Sequence, residues 1–228
     1  ANGKIILSDF KGSFLSEMQN LNRIIAVTAE GYVVYDSTGN RVNNEVYEFL
    51  YPAVKNKDEA NLVQQSGKWK FVDKDYKPLS NESFYHAEVL SKLFWTDNFY
   101  TVQKNKAEKG LFVYNKYGKP ISNNSYSSVE YDYYYKEDVL LEKEGLWAIC
   151  QGDQIGEFKY ASVQIIEELM ASLFYKCQLP GKPGQIVLYD NYRQHEYFSD
   201  LKVTDIKPID GQFEERWILL VYGENGKF

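Results

Sequence analysis

The sequence predicts an all-β protein, a six-repeat, propeller-like array of short antiparallel sheets within one domain of 228 residues. Two observations predict this fold class. Residues that favour strands are abundant, among them 20 tyrosines and 13 phenylalanines. In addition, a short apolar segment that ends in Asp or Asn and a turn recurs with a period of about 38 residues.

The copies of this segment align on the residue that ends the apolar run. That column contains Asp9, Asp36, Asp73, Asn115, Cys150 and Asp190, and the units begin near residues 3, 31, 67, 110, 145 and 184. Four copies are clear: IILSDFKGSFL (5–15), YVVYDSTGNRV (32–42), WKFVDKDYKPL (69–79) and LFVYNKYGKPI (111–121). Two are degraded, LWAICQGDQIG (146–156) and IVLYDNYRQHE (186–196). We call the strand before the turn the motif strand.

The residues after the apolar run predict a turn. Asp or Asn can accept a backbone N–H at the start of a type I turn, and a Gly three positions later supplies the left-handed conformation that completes it. Gly12, Gly39 and Gly118 occupy this place, whereas Tyr76, Asp153 and Arg193 replace Gly in the other copies. We expect these last three turns to be strained or differently shaped.

Each motif strand is apolar on both faces, which predicts burial on both sides and an innermost position. A second apolar segment precedes each motif strand, and the Gly between them predicts an antiparallel hairpin with this partner strand. SYSSV (125–129) and KYASV (159–163) predict a further strand. A full unit then has about four strands, the size of a propeller blade.

The ends of the chain are consistent with a closed ring. The chain starts at a motif strand, IILSD (5–9), and ends with a partner strand, WILLVY (217–222), which could pair with it. A piece of a longer open array would have the same ends. Closure is favoured because six units fall within the usual number of blades, and the short first unit is expected to lack a strand.

Two copies, SGKWKFVDKDYKPL (66–79) and EKGLFVYNKYGKPI (108–121), resemble the bacterial WG or KWG repeats. Lys70 stands where that pattern has its second Gly, and most units lack its Pro. The resemblance implies a propeller-like interaction module without catalytic residues, and it favours a secreted or periplasmic protein over a cytoplasmic one. The first residues, ANGKII, fit either a mature protein cleaved behind a small residue or an engineered boundary.

Composition argues against several classes of function. The net charge of −6 lacks the basic footprint of a nucleic-acid-binding protein. The run WILLVY is far shorter than a membrane span requires. No nucleotide-binding or hydrolase motif is present, so we predict a protein that is not an enzyme and needs no cofactor.

The metal-ligating and nucleophilic residues do not form a recognisable site. His86 and His195 lie in different repeats without the spacing of a zinc site, so no metal is expected. Cys150 and Cys177 are predicted on neighbouring sheets, where we expect two free, largely buried thiols rather than a disulfide.

One segment exceeds what a strand requires, VEYDYYYKED (129–138), in which Tyr131, Tyr133, Tyr134 and Tyr135 are mixed with acidic residues. Tyrosines are enriched at recognition surfaces, so these four are the candidate binding residues. An ordinary aromatic strand with rings packed inward is the alternative. The leading interpretation is a scaffold that binds another protein, with an immunity or surface-assembly role by analogy. A glycan-binding module that uses a Tyr-rich surface is second, and a hydrolase with carboxylates at the ring centre is third.

Overall fold

A computed structural model describes residues 13–15, 23–53, 58–90, 99–131, 138–166, 174–190, 193–208, 219–223 and 226–227. Over these residues the protein is all-β, without a helix, and consists of small antiparallel sheets. No helix in this part of the chain could cross a membrane. The chain divides into two compact units, Ala1–Ser125 and Tyr126–Phe228.

The first unit contains three sheets of three strands each in the described residues, and strands adjacent in the chain pair within each sheet. The sheets comprise β1 (Ser13–Leu15), β2 (Arg23–Val27) and β3 (Tyr32–Asp36); β4 (Phe49–Tyr51), β5 (Asn61–Gln65) and β6 (Lys68–Val72); and β7 (His86–Val89), β8 (Tyr100–Gln103) and β9 (Phe112–Tyr114).

The second unit also contains three sheets, two of them with four described strands. They comprise β10 (Ser128–Tyr131), β11 (Asp138–Lys143), β12 (Leu146–Gln151) and β13 (Gln154–Ile155); β14 (Ser162–Ile165), β15 (Phe174–Gln178), β16 (Ile186–Asp190) and β17 (His195–Tyr197); and β18 (Val203–Pro208), β19 (Leu219–Gly223) and β20 (Gly226–Lys227).

The predicted hairpins between partner and motif strands are present. β2 pairs with β3, β5 with β6, β8 with β9, β11 with β12 and β15 with β16, all antiparallel. In the three-stranded sheets of the first unit the partner strand is in the middle, whereas in the four-stranded sheets the partner and motif strands are both interior. The innermost position of the motif strands in an array of sheets stays a prediction. The predicted further strand is also present, as β10 and β14.

The fourth strand is reduced in the first unit. After β3, β6 and β9 the chain returns along the motif strand with only single bridges, Tyr35 to Arg41, Val72 to Pro78 and Tyr114 to Pro120. Proline has no N–H to donate, which limits extension of the sheet at these two sites. The next residue still bonds to the motif strand, since Leu79 N–H donates to the Phe71 carbonyl oxygen at 3.0 Å.

The turn predicted after the motif strand forms in three copies with the same hydrogen bonds. The side-chain Oδ1 of Asp36, Asp73 and Asn115 accepts the backbone N–H groups two and four residues later, at 2.8–3.2 Å. The residue three positions on has a positive φ of 89° at Gly39, 61° at Tyr76 and 67° at Gly118. The strain expected at Tyr76 is therefore confirmed, because a bulky side chain rarely adopts this conformation.

The degraded turns are differently shaped, as expected. In the fifth copy Gly152, not Asp153, has the positive φ, in a short turn between β12 and β13. In the sixth copy the positive φ is at Gln194 instead of Arg193. Shorter and longer connections move the left-handed residue by one position, which composition alone does not show.

The fifth copy is also displaced by one residue from the predicted alignment. Trp147 bridges to Tyr160 as Trp69 bridges to Phe84, so Trp147, not Leu146, is the equivalent of Trp69. The column of Asp36 therefore continues with Gln151 rather than with Cys150. Gln151 pairs with Asp138 at the start of the partner strand.

A column of buried aromatic residues was missed by the sequence analysis. Tyr47, Phe84 and Tyr126 follow the turn Asp or Asn by eleven residues, and Tyr160 is their equivalent in the fifth copy. All four rings are buried. The bridges of Tyr47 to Tyr32 and of Phe84 to Trp69 bring the next sheet against the motif strand.

In the first unit the turns after β6 and β9 each dock onto the middle strand of the preceding sheet. The Arg23 guanidinium at the start of β2 forms an ion pair of 2.8 Å with Asp75 in the following turn. Likewise the Ala60 N–H, just before β5, donates to the Lys116 carbonyl oxygen at 2.8 Å. The Tyr100 hydroxyl adds a bond of 3.2 Å to the carbonyl oxygen of Ala60.

The predicted closure of the ring requires residues 217–222 to pair with residues 5–9. Residues 5–9 and 217–218 lie outside the described residues. The described end of that partner strand, β19, pairs with β18 and with β20. Closure stays a prediction.

We expect Gly118→Ala to destabilise the fold more than Gly67→Ala. Both glycines have φ near 70°, so each alanine costs about 1–2 kcal/mol of backbone strain. A Cβ at Gly118 would also lie 3.0 Å from Phe71 Cβ and 3.1 Å from Ala60 Cβ, whereas one at Gly67 would meet no atom within 4 Å. Urea unfolding should show an additional loss of about 1–3 kcal/mol at Gly118; equal losses would contradict the docking.

Tyr76→Phe should leave stability unchanged or raise it by up to about 1 kcal/mol. The Tyr76 hydroxyl is buried without a hydrogen-bond partner in the described structure. Its removal therefore eliminates a desolvation free energy that no hydrogen bond offsets. Tyr76→Gly relieves the positive φ but removes a ring packed 6.0 Å from Tyr47, and we expect a net loss of stability. Thermal unfolding of both variants tests this; a large loss in Tyr76→Phe would reveal a bond to the hydroxyl.

Candidate functional site

The outer edge strands of successive sheets differ in what they present to solvent. β4, β7, β10 and β14 are the first strands of their sheets and pair only with the next strand among the described residues. The residues two and four positions after the buried aromatic column alternate with inward-facing ones. They are His86 and Glu88, Ser128 and Glu130, and Ser162 and Gln164 in three copies, but Phe49 and Tyr51 in β4.

Phe49 and Tyr51 are large and exposed, with 52% and 42% of their surface accessible. Leu50 between them is buried, as expected for a strand with one face inward. Exposed aromatic surface is unfavourable in water, and where it is concentrated it marks interaction sites. The pair therefore forms the candidate functional site.

A buried ring fixes both exposed ones. The centroid of the Trp69 ring lies 6.0 Å from those of Phe49 and Tyr51, and the planes are nearly parallel, at 23° and 20°. Trp69 itself is only 7% exposed, because it belongs to the core between β4–β6 and β7–β9. The exposed rings are thus held against a rigid support, which lowers the entropy lost when a ligand binds.

Two carboxylates lie at the Phe49 end of this surface. Glu48 accepts the Gly67 N–H at 3.1 and 3.2 Å, and Glu45 accepts a hydrogen bond from the Gln65 amide. Both residues are exposed, and neither forms an ion pair with another described residue. Lys68 in the same hairpin lies 6.0 Å above the Tyr85 ring. The site therefore combines aromatic faces with carboxylates.

The four tyrosines predicted as binding residues have different fates. Tyr131 is the last residue of β10, pairs with Val139 and is only 6% exposed. Tyr133, Tyr134 and Tyr135 lie outside the described residues. The structure therefore places one predicted site residue in the core, and the binding role of the other three stays a prediction.

The cysteines are free and buried, as predicted. Burial, with the Asp138 and Asp153 carboxylates nearby, raises the pKa of Cys150 to about 12. Burial also raises the pKa of Cys177, and Glu196 adds to the effect. Both thiols are neutral at physiological pH, so neither is an activated nucleophile.

The histidines lie on strands, His86 on β7 and His195 on β17. Within the described ranges no group of three or more His, Cys, Asp or Glu side chains is arranged to hold a metal ion.

A polar cluster stabilises the second unit. Glu196 Oε1 accepts the Tyr160 hydroxyl at 2.5 Å and lies 2.7 Å from Lys159 Nζ. Burial opposes ionisation of Glu196, but these two donors prevail and lower its pKa. Because Tyr160 precedes β14 and Glu196 belongs to β17, the cluster connects the two edges of one sheet. The three side chains are bonded to one another, which assigns them a structural role.

No protein-family model matches the chain, and no curated protein matches it in sequence. Solved structures show distant likeness. The crystal structure of BBS1N in complex with ARL6DN, soaked with lead, has a TM-score of 0.30 and 7% identity, covering 95% of this chain and 78% of that chain. The AfRom2 CNH domain has a TM-score of 0.33 and 9% identity, covering 98% and 96%. At these scores the likeness says nothing about what this chain binds.

The sequence contained a signal for Phe49 and Tyr51 that was not used. Once the copies are aligned on Tyr47, Phe84, Tyr126 and Tyr160, the exposed columns are polar in every copy but one. These columns lie beyond the repeated segment that ends just after the turn residue, and the tyrosines of residues 131–135 are the more conspicuous feature of composition.

Glu196→Gln should reduce the dependence of stability on pH in the acid range. The pKa of Glu196 is lower in the folded state than its usual value of 4.5, so its contribution is present above that value and is lost as pH falls below it. The variant should therefore show a smaller fall in melting temperature below about pH 4.5 than the wild type. Its melting temperature at pH 7 should be lower, because Lys159 loses its charged partner. Parallel pH profiles of the two proteins would contradict this assignment.

Proposed function

We propose that this chain is a non-enzymatic β-repeat scaffold that binds a protein partner through the aromatic surface of β4. One observation carries the proposal: the exposed columns of the edge strands are polar in β7, β10 and β14 and aromatic in β4. Folding alone requires only the inward residues, so a departure confined to the outward column of one copy is best explained by binding.

The wider organisation supports a scaffold. Small sheets of similar design follow one another, and a propeller-like array of six such units presents its edge strands and loops as an extended binding surface. The resemblance to bacterial WG repeats adds an interaction role outside the cytoplasm, with immunity or surface assembly as the analogy. The thiols of Cys150 and Cys177 are neutral and Glu196 is bonded to Tyr160, so these three groups do not themselves argue for catalysis.

Glycan binding is the second candidate, and one observation favours it. Phe49 and Tyr51 lie nearly parallel to Trp69, and flat aromatic surfaces also pack against the apolar faces of sugar rings. Tyr133, Tyr134 and Tyr135 stay the Tyr-rich candidates for this role that the sequence predicts. A monomeric protein that binds on a glycan array, with no protein partner, would support this alternative.

Replacing Phe49 and Tyr51 together by Ser should abolish complex formation with the partner. The matched control replaces His86 and Glu88, the equivalent residues of β7, by Ser. Intact-complex mass spectrometry from native lysate should detect a stoichiometric partner with the wild type and the control but not with the aromatic variant. Equal recovery of the partner by all three proteins would overturn the proposed site.

The aromatic variant should remain folded, because each side chain is about half exposed and the loss of its contact with the Trp69 ring should cost only about 1 kcal/mol. A melting temperature close to that of the wild type verifies this. Loss of the partner together with an unchanged melting temperature would separate binding from stability.

A further inference from the structure

Three features define what β4 can bind. It is an edge strand, it presents two aromatic rings on one face, and it has two exposed carboxylates at one end. From their combination we infer that β4 binds an extended peptide segment bearing Lys or Arg side chains, added as a strand along Phe49–Tyr51. The inference rests on the proposed function and names the class of partner segment.

The backbone of β4 can accept another strand. In an antiparallel pair, alternate residues direct N–H and C=O groups away from the neighbouring strand. β4 pairs with β5 through Phe49, Leu50 and Tyr51, and its other edge is unpaired within the described part of the chain. Such an edge is a template for strand addition, a common way of recognising peptides.

The side chains favour a basic peptide. The faces of Phe49 and Tyr51 attract an ammonium or guanidinium group, and this chain already makes such contacts, since Lys104 Nζ lies 4.3 Å from the centre of the Phe112 ring. Glu45 and Glu48 supply negative charge that no described ion pair neutralises. The net charge of −6 adds long-range attraction for a cationic segment.

The peptide contact must be short. Pro52 follows Tyr51 and cannot donate a backbone hydrogen bond, so regular pairing ends there. A segment of a few residues in extended conformation, with alternate side chains over the aromatic rings, fits this length. We therefore expect weak binding that depends on side chains as well as on the backbone.

Fluorescence anisotropy with a labelled, acetylated peptide of alternating Val and Arg tests the inference. Phe49→Ser combined with Tyr51→Ser should eliminate binding. Glu45→Gln combined with Glu48→Gln should raise Kd at least about fivefold at low salt, because two favourable charges are lost while each Gln can still accept its hydrogen bond.

The matched control is Glu88→Gln combined with Glu130→Gln, which removes the same charge from β7 and β10, at the positions equivalent to Tyr51. Its Kd should change by less than about twofold, since those carboxylates lie on other strands. An equal loss in both double variants would mean that only net charge matters and would overturn the inference. Equal binding of a Val and Glu peptide, or of a peptide N-methylated along its pairing edge, would also overturn it.

The outcomes separate the inference from the proposed function. If the basic peptide fails to bind while the native partner still depends on Phe49 and Tyr51, the inference fails and the scaffold role survives. If the partner is also indifferent to these two residues, both fail. Assembly of the wild-type protein into dimers that the aromatic variant cannot form would identify a second copy as the occupant of β4 and would overturn the basic-peptide assignment.

Discussion

The docking of the turns after β6 and β9 onto the preceding sheet is the interaction on which the rest of the first unit depends. A three-stranded sheet cannot bury both of its faces by itself. The Asp or Asn turn supplies the missing contact, because its backbone meets the start of the preceding middle strand, as Lys116 meets Ala60. The aromatic rings behind the turn pack together, since the centroid of the Phe71 ring lies 5.0–5.7 Å from those of Phe84, Tyr100 and Tyr114. The turn and the buried rings behind it therefore form one structural element, which recurs in the first unit.

Much of this device was predictable because it is local. The side-chain bonds of Asp36, Asp73 and Asn115 and the left-handed residue after them depend on neighbours in the chain, so a single sequence contains them. The same holds for the hairpins between partner and motif strands. The shifted alignment at Trp147 and the move of the positive φ to Gln194 were not predictable, because they follow from the length of a turn that tertiary pairing selects.

The site was harder to predict than the fold. A residue such as Tyr131 has the composition of a binding residue, but its place at the end of β10 buries it. Phe49 looks like an ordinary strand residue, and only its position relative to Tyr47 shows that it faces outward. Repetition provides the missing information, since three polar copies establish what the outward column requires for folding. Departures from an internal consensus therefore identify candidate binding residues that conspicuous composition does not.

One proline, Pro78, limits the addition of a further strand at the edge of the sheet opposite β4. Pro78 lies against β6 at the far edge, where it bridges to Val72 and can offer no N–H to an incoming strand. The sheet is thus blunted at one edge and able to grow at the other. In a protein with many small sheets, exposed edge strands can pair with those of other protein molecules and cause aggregation. A proline at one edge limits such pairing at that edge. The other edge, that of β4, is left without such a proline among the described strands, so the asymmetry that limits aggregation at one edge would also admit the peptide strand proposed for the other.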